Sequence, residues 1–327
     1  MNPIRPAAIA LLLAPLLHAA QKGSQEIRIT SSGVELAATL TLPAGDGPHP
    51  AAVLLAGSGP STRGDLLRFC EHLNSLDVAT LVYDKRGCGQ SSGSWTTASL
   101  DDVVADARSA FGVLRGHPRV DPDRIGVWGV SQAGWFIPVL AERTPELAFA
   151  IVLTGGGSTP REVELFMHRA ALERIGATDA ERAEAEGLLA MYFDWLGTGQ
   201  EHEELVAAMT EARTTRWYSV LSLDRVMPSE QDRPKWEWVA SFDPLPYIEK
   251  MHLPTLVLLG GADPMGSTPA ALERWQAGLE RARNPRARVV VIEGMGHAAA
   301  LGPHHQKDAP LMSGYLAEVA AFSASLR

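Results

Sequence analysis

Short apolar runs alternate with longer amphipathic segments along most of the chain. Four of these runs have the length and composition of buried strands, at residues 51–56, 125–130, 255–260 and 288–292. Strands and helices alternate from about Val53 to Leu153 and again from Leu256 to the end. This β-α-β rhythm predicts an α/β fold with a mostly parallel central sheet and helices on both faces.

The first part of the chain has a different pattern. Apolar and polar residues alternate at residues 25–30 and again at residues 35–42. Strict alternation is typical of strands with one buried and one exposed face, which are usually antiparallel. The sheet is therefore expected to begin with an antiparallel hairpin at its edge.

A long middle segment interrupts the strand-helix rhythm. Between Leu153 and Pro254 the sequence has charged helical segments and no convincing strand. We interpret residues 158–250 as a helical lid insertion, called the lid insertion below. It divides one core into residues 25–157 and 251–327, and a chain of 327 residues is long enough for this arrangement.

The lid insertion carries Trp195, Trp217, Trp236 and Trp238, which are half of the eight tryptophans of the chain. Ligand sites favour aromatic walls at the junctions between structural layers, so these residues are candidates for an apolar acyl or aryl pocket. Helical spacing also allows the alternative that they only anchor the helical layer on the sheet.

The N-terminal residues have the pattern of a secretory signal peptide. Arg5 precedes an apolar run at residues 7–17, and the small residues Ala19 and Ala20 follow it. We predict a signal peptide over residues 1–20 and export of a bacterial protein to the periplasm or the medium. The apolar run is too short to span a bilayer, and no cysteine suited to lipid attachment follows it, so we expect no stable membrane anchor after cleavage.

The charge of the chain limits its partners. The formal net charge is −9, and removal of Arg5 with the signal peptide makes it −10. Nucleic acids and anionic membranes attract cationic surfaces, so neither is an expected partner.

Export would permit a disulfide between Cys70 and Cys88, but sequence cannot show whether they are close enough. No cysteine-histidine cluster has metal-ligand spacing, and no metal or cofactor is predicted.

The run at residues 125–134 presents one serine, Ser131, after a glycine turn and before a potential helix. A strained strand-to-helix turn of this kind exposes a serine nucleophile, and the residues two before and two after it must be small. Gly129 and Ala133 meet that requirement. Taken alone, the pattern also fits an ordinary glycine turn before a helix.

Two further residues indicate catalysis. Asp263 and His297 each lie just past the carboxyl end of a predicted strand, which is where open α/β sheets place their chemistry. A serine hydroxyl needs an imidazole to take its proton, and the imidazole needs a carboxylate to orient it. Individually, Asp263 could form a turn before Pro264 and His297 could close a loop. We assign surface or structural roles to the other histidines considered, His168, His252, His304 and His305.

Backbone amides are expected to stabilise the oxyanion of an acyl-transfer reaction. One candidate is the amide of Gln132, directly after Ser131, and the other is the amide of Ser58 in the glycine-rich loop at residues 57–60. Such a loop could also hold phosphate. However, it lacks both the Gly-x-Gly-x-x-Gly and the Gly-Lys-Ser/Thr patterns, which argues against a nucleotide site.

Together these motifs resemble the α/β-hydrolase superfamily, in particular bacterial secreted esterases of the dienelactone-hydrolase and serine-aminopeptidase kind. The resemblance rests on residues 55–60, 82–92 and 129–134 with Asp263 and His297, and covers roughly residues 26–327. It implies an α/β-hydrolase fold and a structural loop at residues 84–91 beside the active site, whose aspartate and arginine brace the loop and are not catalysts. The chain departs from the family pattern at Ala133, where glycine is usual, and at Ala56, where many relatives carry histidine.

The sequence therefore predicts a serine hydrolase that cleaves small-molecule carboxylic esters through an acyl-enzyme intermediate. An aminopeptidase or amidase using the same triad is the alternative within enzymes, and it would need a carboxylate for the free amino group, such as Glu162, Glu164 or Asp194. A binding scaffold without catalysis is the alternative from another class. The sequence leaves the oligomeric state open.

Overall fold

A computed structural model describes residues 23–302 and 309–326. The predicted signal peptide, residues 1–20, lies outside these residues, as do His304 and His305. The described residues form eight strands: β1 (Ser24–Ser31), β2 (Val34–Thr41), β3 (His49–Leu55), β4 (Ala79–Tyr83), β5 (Val120–Val130), β6 (Ala150–Leu153), β7 (Thr255–Gly260) and β8 (Ala287–Ile292).

All eight strands belong to one sheet in the order β1-β2-β4-β3-β5-β6-β7-β8. β1 pairs antiparallel with β2, and β2 pairs antiparallel with β4. Every other neighbouring pair is parallel. This topology confirms the predicted mostly parallel sheet with an antiparallel hairpin at its N-terminal edge.

The buried parts of the central strands, residues 51–55 of β3 and 125–129 of β5, are apolar because both faces of the sheet are covered there. Val53 of β3 and Val127 of β5 pair in register and belong to the hydrophobic cluster on one face. Their neighbours Leu54 and Trp128 point to the other face and belong to a second cluster. Successive side chains of a strand point to opposite faces, so a strand covered on both sides needs a continuous apolar run.

Twelve α-helices are described around the sheet: α1 (Leu67–Ser75), α2 (Leu100–Arg115), α3 (Ala133–Arg143), α4 (Pro160–Arg174), α5 (Asp179–Thr198), α6 (His202–Ala212), α7 (Tyr218–Leu221), α8 (Leu223–Val226), α9 (Glu237–Ser241), α10 (Leu245–Ile248), α11 (Thr268–Arg281) and α12 (Ser313–Ser325). Buried residues of α1 and α12 join the cluster on one face of the sheet. Those of α2, α3 and α11 join the cluster on the other face. No described helix is both long and apolar enough to cross a membrane.

Seven helices, α4 to α10, lie within the lid insertion. Residues of α4 to α8 form a third hydrophobic cluster, with Leu189 and Phe193 of α5 almost completely buried in it. This cluster contains no strand residue. The Trp236 indole donates a 2.7 Å hydrogen bond to the carbonyl oxygen of Thr96, which ties the lid insertion to the loop before α2.

The loop that follows β4 is held from inside by Asp84, which is almost completely buried. Its carboxylate accepts hydrogen bonds from the amides of Arg63 at 2.8 Å and Gln90 at 2.9 Å. Gly89 has a φ of 52°, and a Cβ added there would lie 2.3 Å from an Asp84 carboxylate oxygen. The close approach of backbone and carboxylate therefore requires glycine at this position.

The neighbouring Arg86 braces the same loop against α2. Its guanidinium donates to both carboxylate oxygens of Asp106, at 2.7 and 2.8 Å, and to Asp102 at 2.9 Å. Asp102 also accepts the amide of Ser99 and so caps the start of α2. Burial raises the pKa of Asp106 while its bonds to Arg86 oppose that rise. The charged residues of this loop thus form internal ties to the fold.

Candidate active site

Ser131 occupies the sharp turn between β5 and α3. Its φ of 58° lies in the left-handed region, which is strained for a residue other than glycine, asparagine or aspartate. Two backbone hydrogen bonds hold the turn: the Ser131 amide donates to the Leu153 carbonyl at 2.9 Å, and the Gly134 amide donates to the Ser131 carbonyl at 2.8 Å. The side chain is therefore presented at the carboxyl edge of the sheet by a rigid backbone.

Glycines surround this turn because there is no room for side chains. A Cβ added to Gly155 would lie 1.9 Å from the carbonyl oxygen of Ser131, and one added to Gly57 would lie 3.1 Å from the Ser131 Cβ. Sequence reasoning missed Gly155. It follows β6, the strand next to β5, and the glycine run at residues 155–157 was the available signal.

His297 and Asp263 lie in contact beyond the ends of β8 and β7. The Nδ1 of His297 is 2.8 Å from one carboxylate oxygen of Asp263 and 3.1 Å from the other. The amide of Met265 donates to Asp263 at 2.9 Å, and the hydroxyl of Thr154 donates to the His297 carbonyl at 2.6 Å. Asp263 thus forms the turn before Pro264 and also faces the imidazole.

These residues open on one cavity of about 1200 Å³. Its walls include all five residues predicted for catalysis: Ser131, Asp263, His297, Gln132 and Ser58. Gln132 immediately precedes the first residue of α3, where the amides of a helix N-terminus are unpaired. Within the described residues, no hydrogen bond joins the Ser131 hydroxyl to His297.

The four candidate tryptophans of the lid insertion fall into two pairs. Trp236 and Trp238 line the cavity. Trp195 and Trp217 are not among the described residues that line it. They belong to the hydrophobic cluster of the lid insertion, where only 2% and 3% of their surface is exposed to solvent. The insertion packs around a core of its own, and that core requires large apolar side chains.

Two aromatic residues of α3 also line the cavity, and the sequence reasoning did not identify them. The ring centroids of Trp135 and Phe136 lie 6.0 and 5.5 Å from that of Trp238, in edge-to-face arrangements. Both follow Ser131 by about one helical turn, and this spacing in the sequence could have indicated that they lie beside it. The lid insertion and α3 therefore build one aromatic wall together.

The three lid carboxylates considered as amine anchors have different positions. Glu162 accepts the amide of Thr159 and caps α4, and exposed Asp194 pairs with Arg161 at 3.5 Å. Glu164 alone among them lines the cavity. Burial raises its pKa to about 7, and the Nε2 of His168 lies 3.8 Å from its carboxylate.

The two cysteines are unpaired and buried in the structure. Burial raises the pKa of the Cys70 thiol to about 12, so Cys70 is a structural residue with little thiolate character. No cluster of three or more histidine, cysteine, aspartate or glutamate residues suited to a metal ion occurs in the part of the chain that the structure describes.

Comparison with known protein families identifies the family to which this fold belongs. The family model described as alpha/beta hydrolase fold matches residues 52–302, which is well over half of the chain. The chain therefore belongs to the α/β-hydrolase family, and this match confirms the superfamily predicted from the sequence.

Curated relatives match only part of their own length. The quorum-quenching protein AidA of Acinetobacter baumannii is 28% identical over 127 residues, which are 38% of this chain and 42% of that protein. Esterase EstD of Thermotoga maritima is 30% identical over 145 residues, which are 42% of this chain and 34% of that protein. The chain thus spans less than half the length of these relatives.

Solved structures share the fold over almost the whole chain. A Pyrococcus furiosus esterase has a TM-score of 0.59 at 17% identity, covering 93% of this chain and 91% of that one. Est1E from Butyrivibrio proteoclasticus has a TM-score of 0.56 at 16% identity, covering 92% and 98%. A proline iminopeptidase from Mycobacterium smegmatis has a TM-score of 0.58 at 18% identity, also covering 92% and 98%.

Proposed function

We propose that this protein is a serine hydrolase that cleaves carboxylic esters through an acyl-enzyme intermediate. The observation that carries the proposal is that one cavity contains a serine on a strained turn and a histidine whose Nδ1 contacts a carboxylate. Relatives named as esterases support an ester substrate.

In the proposed mechanism, Asp263 accepts the Nδ1–H of His297 and leaves Nε2 free as the base. Nε2 takes the proton of the Ser131 hydroxyl as its oxygen attacks the ester carbonyl. The imidazolium then gives that proton to the leaving alcohol, and water, activated in the same way, releases the acid. Catalytic hydrogen bonds are often long in a free enzyme, and we expect a hydrogen bond between Ser131 and His297 to form when substrate binds.

The oxyanion of the tetrahedral intermediate would be held by two backbone amides, those of Gln132 and Ser58. Both residues border the cavity beside Ser131. The apolar part of the substrate would pack against Trp135, Phe136 and Trp238, since aromatic walls suit acyl or aryl groups. In this reading residues 158–250 act as a lid that shapes substrate preference.

Active-site labelling tests the proposal directly. A fluorophosphonate probe should label the purified protein at Ser131, and Ser131→Ala should abolish labelling and lower kcat for a short-chain ester about 10⁴-fold or more. Ser241→Ala is the matched control, because Ser241 is exposed and its hydroxyl donates to the Glu237 carbonyl of its own helix. A purified Ser131→Ala protein with wild-type activity would refute the assignment, and an unlabelled wild-type protein would indicate a binding scaffold.

Cleavage of amides next to a free amino group is the second candidate function. Glu164 supports it because a carboxyl group inside the cavity is suited to an ammonium group, whose positive charge would favour the ionised form. A panel of esters and aminoacyl anilides of matched size separates the two functions. If amino-terminal substrates are preferred, Glu164→Gln should raise their KM and leave that of neutral esters unchanged.

We also propose that the protein is exported and that residues 1–20 are removed on the way. The support is the sequence pattern of Arg5 followed by an apolar run and small residues. Mass spectrometry of protein recovered from the medium or the periplasm should find a mature N-terminus near Gln21. Retention of the full-length chain in the cytoplasm would contradict the proposal.

A further inference from the structure

Lys85, in the loop after β4, contacts both segments that carry the proposed oxyanion amides. Its ammonium donates hydrogen bonds to the carbonyl oxygens of Gly57 and Gly59, the latter at 3.1 Å, and to the side-chain oxygen of Gln132 at 3.4 Å. Its own amide donates to the Ser61 carbonyl at 3.0 Å. One side chain therefore links the loop at residues 57–61 to the turn that bears Ser131.

The geometry of the peptide bond makes the contact with Gly57 consequential. The peptide unit between Gly57 and Ser58 is planar and trans, so the carbonyl of Gly57 and the amide N–H of Ser58 point in opposite directions. By holding that carbonyl, Lys85 fixes the direction of the Ser58 N–H. Glycine is the residue with the most freedom to rotate, and a Cβ added to Gly57 would lie only 3.1 Å from the Ser131 Cβ, so a stiffer residue would crowd the turn.

The ammonium is largely buried and lacks a counter-ion in the part of the chain that is described. The loop at residues 56–61 and the turn at residues 131–132 present no charged side chain to it. On its own loop, Asp84 and Arg86 are engaged with other partners, and the Cys88 thiol is the titratable neighbour. Burial lowers the pKa of Lys85 to about 8.

We propose that Lys85 is a positioning residue of the oxyanion hole, which orients the Ser58 and Gln132 amides toward the tetrahedral intermediate. The inference rests on the proposed serine hydrolase function. Lys85 acts through the carbonyl groups of Gly57 and Gly59 and through the side chain of Gln132, and its contribution appears when negative charge develops on the substrate oxygen. Its loss should therefore affect the transition state more than the binding of the neutral ester.

The test compares Lys85→Met, which keeps the length of the side chain without the charge, with Lys250→Met. Lys250 is an exposed residue of the lid insertion that pairs with Glu142 and does not line the cavity as described. For a short-chain ester, Lys85→Met should lower kcat about 10- to 100-fold and change KM less than about threefold. Removal of one oxyanion donor lowers kcat about 10²- to 10³-fold, and a donor that is present but misplaced should have a smaller effect. Affinity for a boronic acid, which imitates the tetrahedral intermediate, should fall by the same factor as kcat/KM. Lys250→Met should match the wild type in all three measurements.

The pH profile gives a readout that a purely structural role would not produce. Lys85 carries its proton below a pH of about 8 and loses it above, so wild-type kcat should fall as pH rises through that value. In Lys85→Met this alkaline decline should disappear. Circular dichroism at each pH shows whether the wild type stays folded over the range.

The outcomes separate this inference from the proposed function. A wild type that is neither labelled by fluorophosphonate nor active on esters refutes the hydrolase itself. An active wild type combined with a folded Lys85→Met of unchanged kcat overturns only the role of Lys85. If Lys85→Met does not fold, the pH dependence of wild-type kcat tests the role of Lys85 instead. A wild-type kcat that stays constant from pH 7 to 9.5 overturns the inference.

Discussion

Gly129 and Ala133 face each other across the turn that carries Ser131, and a Cβ added to Gly129 would lie 2.6 Å from the Cβ of Ala133. The same added atom would lie 2.9 Å from Cδ1 of Ile137, one turn further along α3. The two small residues are therefore coupled: β5 and α3 approach closely only because one of them has no side chain and the other has a methyl group.

This coupling predicts the effect of filling the gap. Gly129→Ala should lower the free energy of unfolding by about 1–3 kcal/mol, the usual effect of overpacking a core. The double variant Gly129→Ala/Ala133→Gly should recover part of the loss, since it removes the clashing methyl group. Gly112→Ala in α2 is the control, because a Cβ there meets nothing within 4 Å. Thermal unfolding measures all three, and an unchanged midpoint for Gly129→Ala would contradict the steric argument.

Asp263 should determine the rate of catalysis with little effect on substrate binding. Asp263→Asn keeps an oxygen for the Met265 amide but presents the wrong partner to the imidazole, so kcat should fall about 10⁴-fold while KM changes little. Asp194→Asn, at an exposed site, should behave as the wild type. Steady-state kinetics with one ester tests the pair, and comparable kcat values for both variants would rule out Asp263 as the orienting acid.

The charged pair of Arg86 and Asp106 predicts an effect on stability. Arg86→Met leaves a buried carboxylate without its partner and should lower the free energy of unfolding by about 3–5 kcal/mol. Arg115→Met removes one member of an exposed pair with Glu146, and its effect should stay below about 1 kcal/mol. Urea denaturation of both variants gives the two losses of stability. Similar midpoints would show that the buried pair of Arg86 and Asp106 contributes no more to stability than the exposed pair of Arg115 and Glu146.

The tryptophans of the lid insertion should separate specificity from stability. Trp238→Ala opens the aromatic wall and should shift the preferred acyl chain toward longer or bulkier groups. Trp195→Ala removes a side chain from the insertion's own core and should lower stability by about 3–5 kcal/mol without changing the preference among esters. Relative kcat/KM values for esters of increasing acyl length test both predictions. If Trp238→Ala and the wild type show the same preference, Trp238 does not contact the acyl group.

Glu164 should make stability depend on pH. Burial raises its pKa from 4.5 to about 7, so the folded protein keeps this proton where the unfolded chain has lost it. Stability should therefore decrease as pH rises from 4.5 to about 7, and Glu164→Gln should weaken that decrease. Glu184→Gln, exposed on α5, is the control. Unfolding midpoints measured across this range should separate the two variants, and parallel curves would contradict the raised pKa of Glu164.

The sequence allowed the fold and the neighbourhood of the site to be predicted for a physical reason. The carboxyl ends of parallel strands meet at one edge, so the positions of Ser131, Asp263 and His297 along the chain were enough to expect them in one cleft. The contacts of Lys85 could not be predicted, because a lysine between two loops gives no periodic signal. Nor could Trp195 be distinguished from Trp238, since both sit in helices and only packing decides which of them faces the cavity.

The separate hydrophobic cluster of the lid insertion has a consequence for how this protein could diversify. Because α4 to α8 bury their apolar residues mainly among themselves, changes in that layer leave the sheet and its catalytic edge largely intact. Replacement of residues 158–250 by the corresponding segment of a relative should then transfer substrate selectivity as a unit. The new segment would have to keep the packing of the aromatic wall between Trp135 and Trp238.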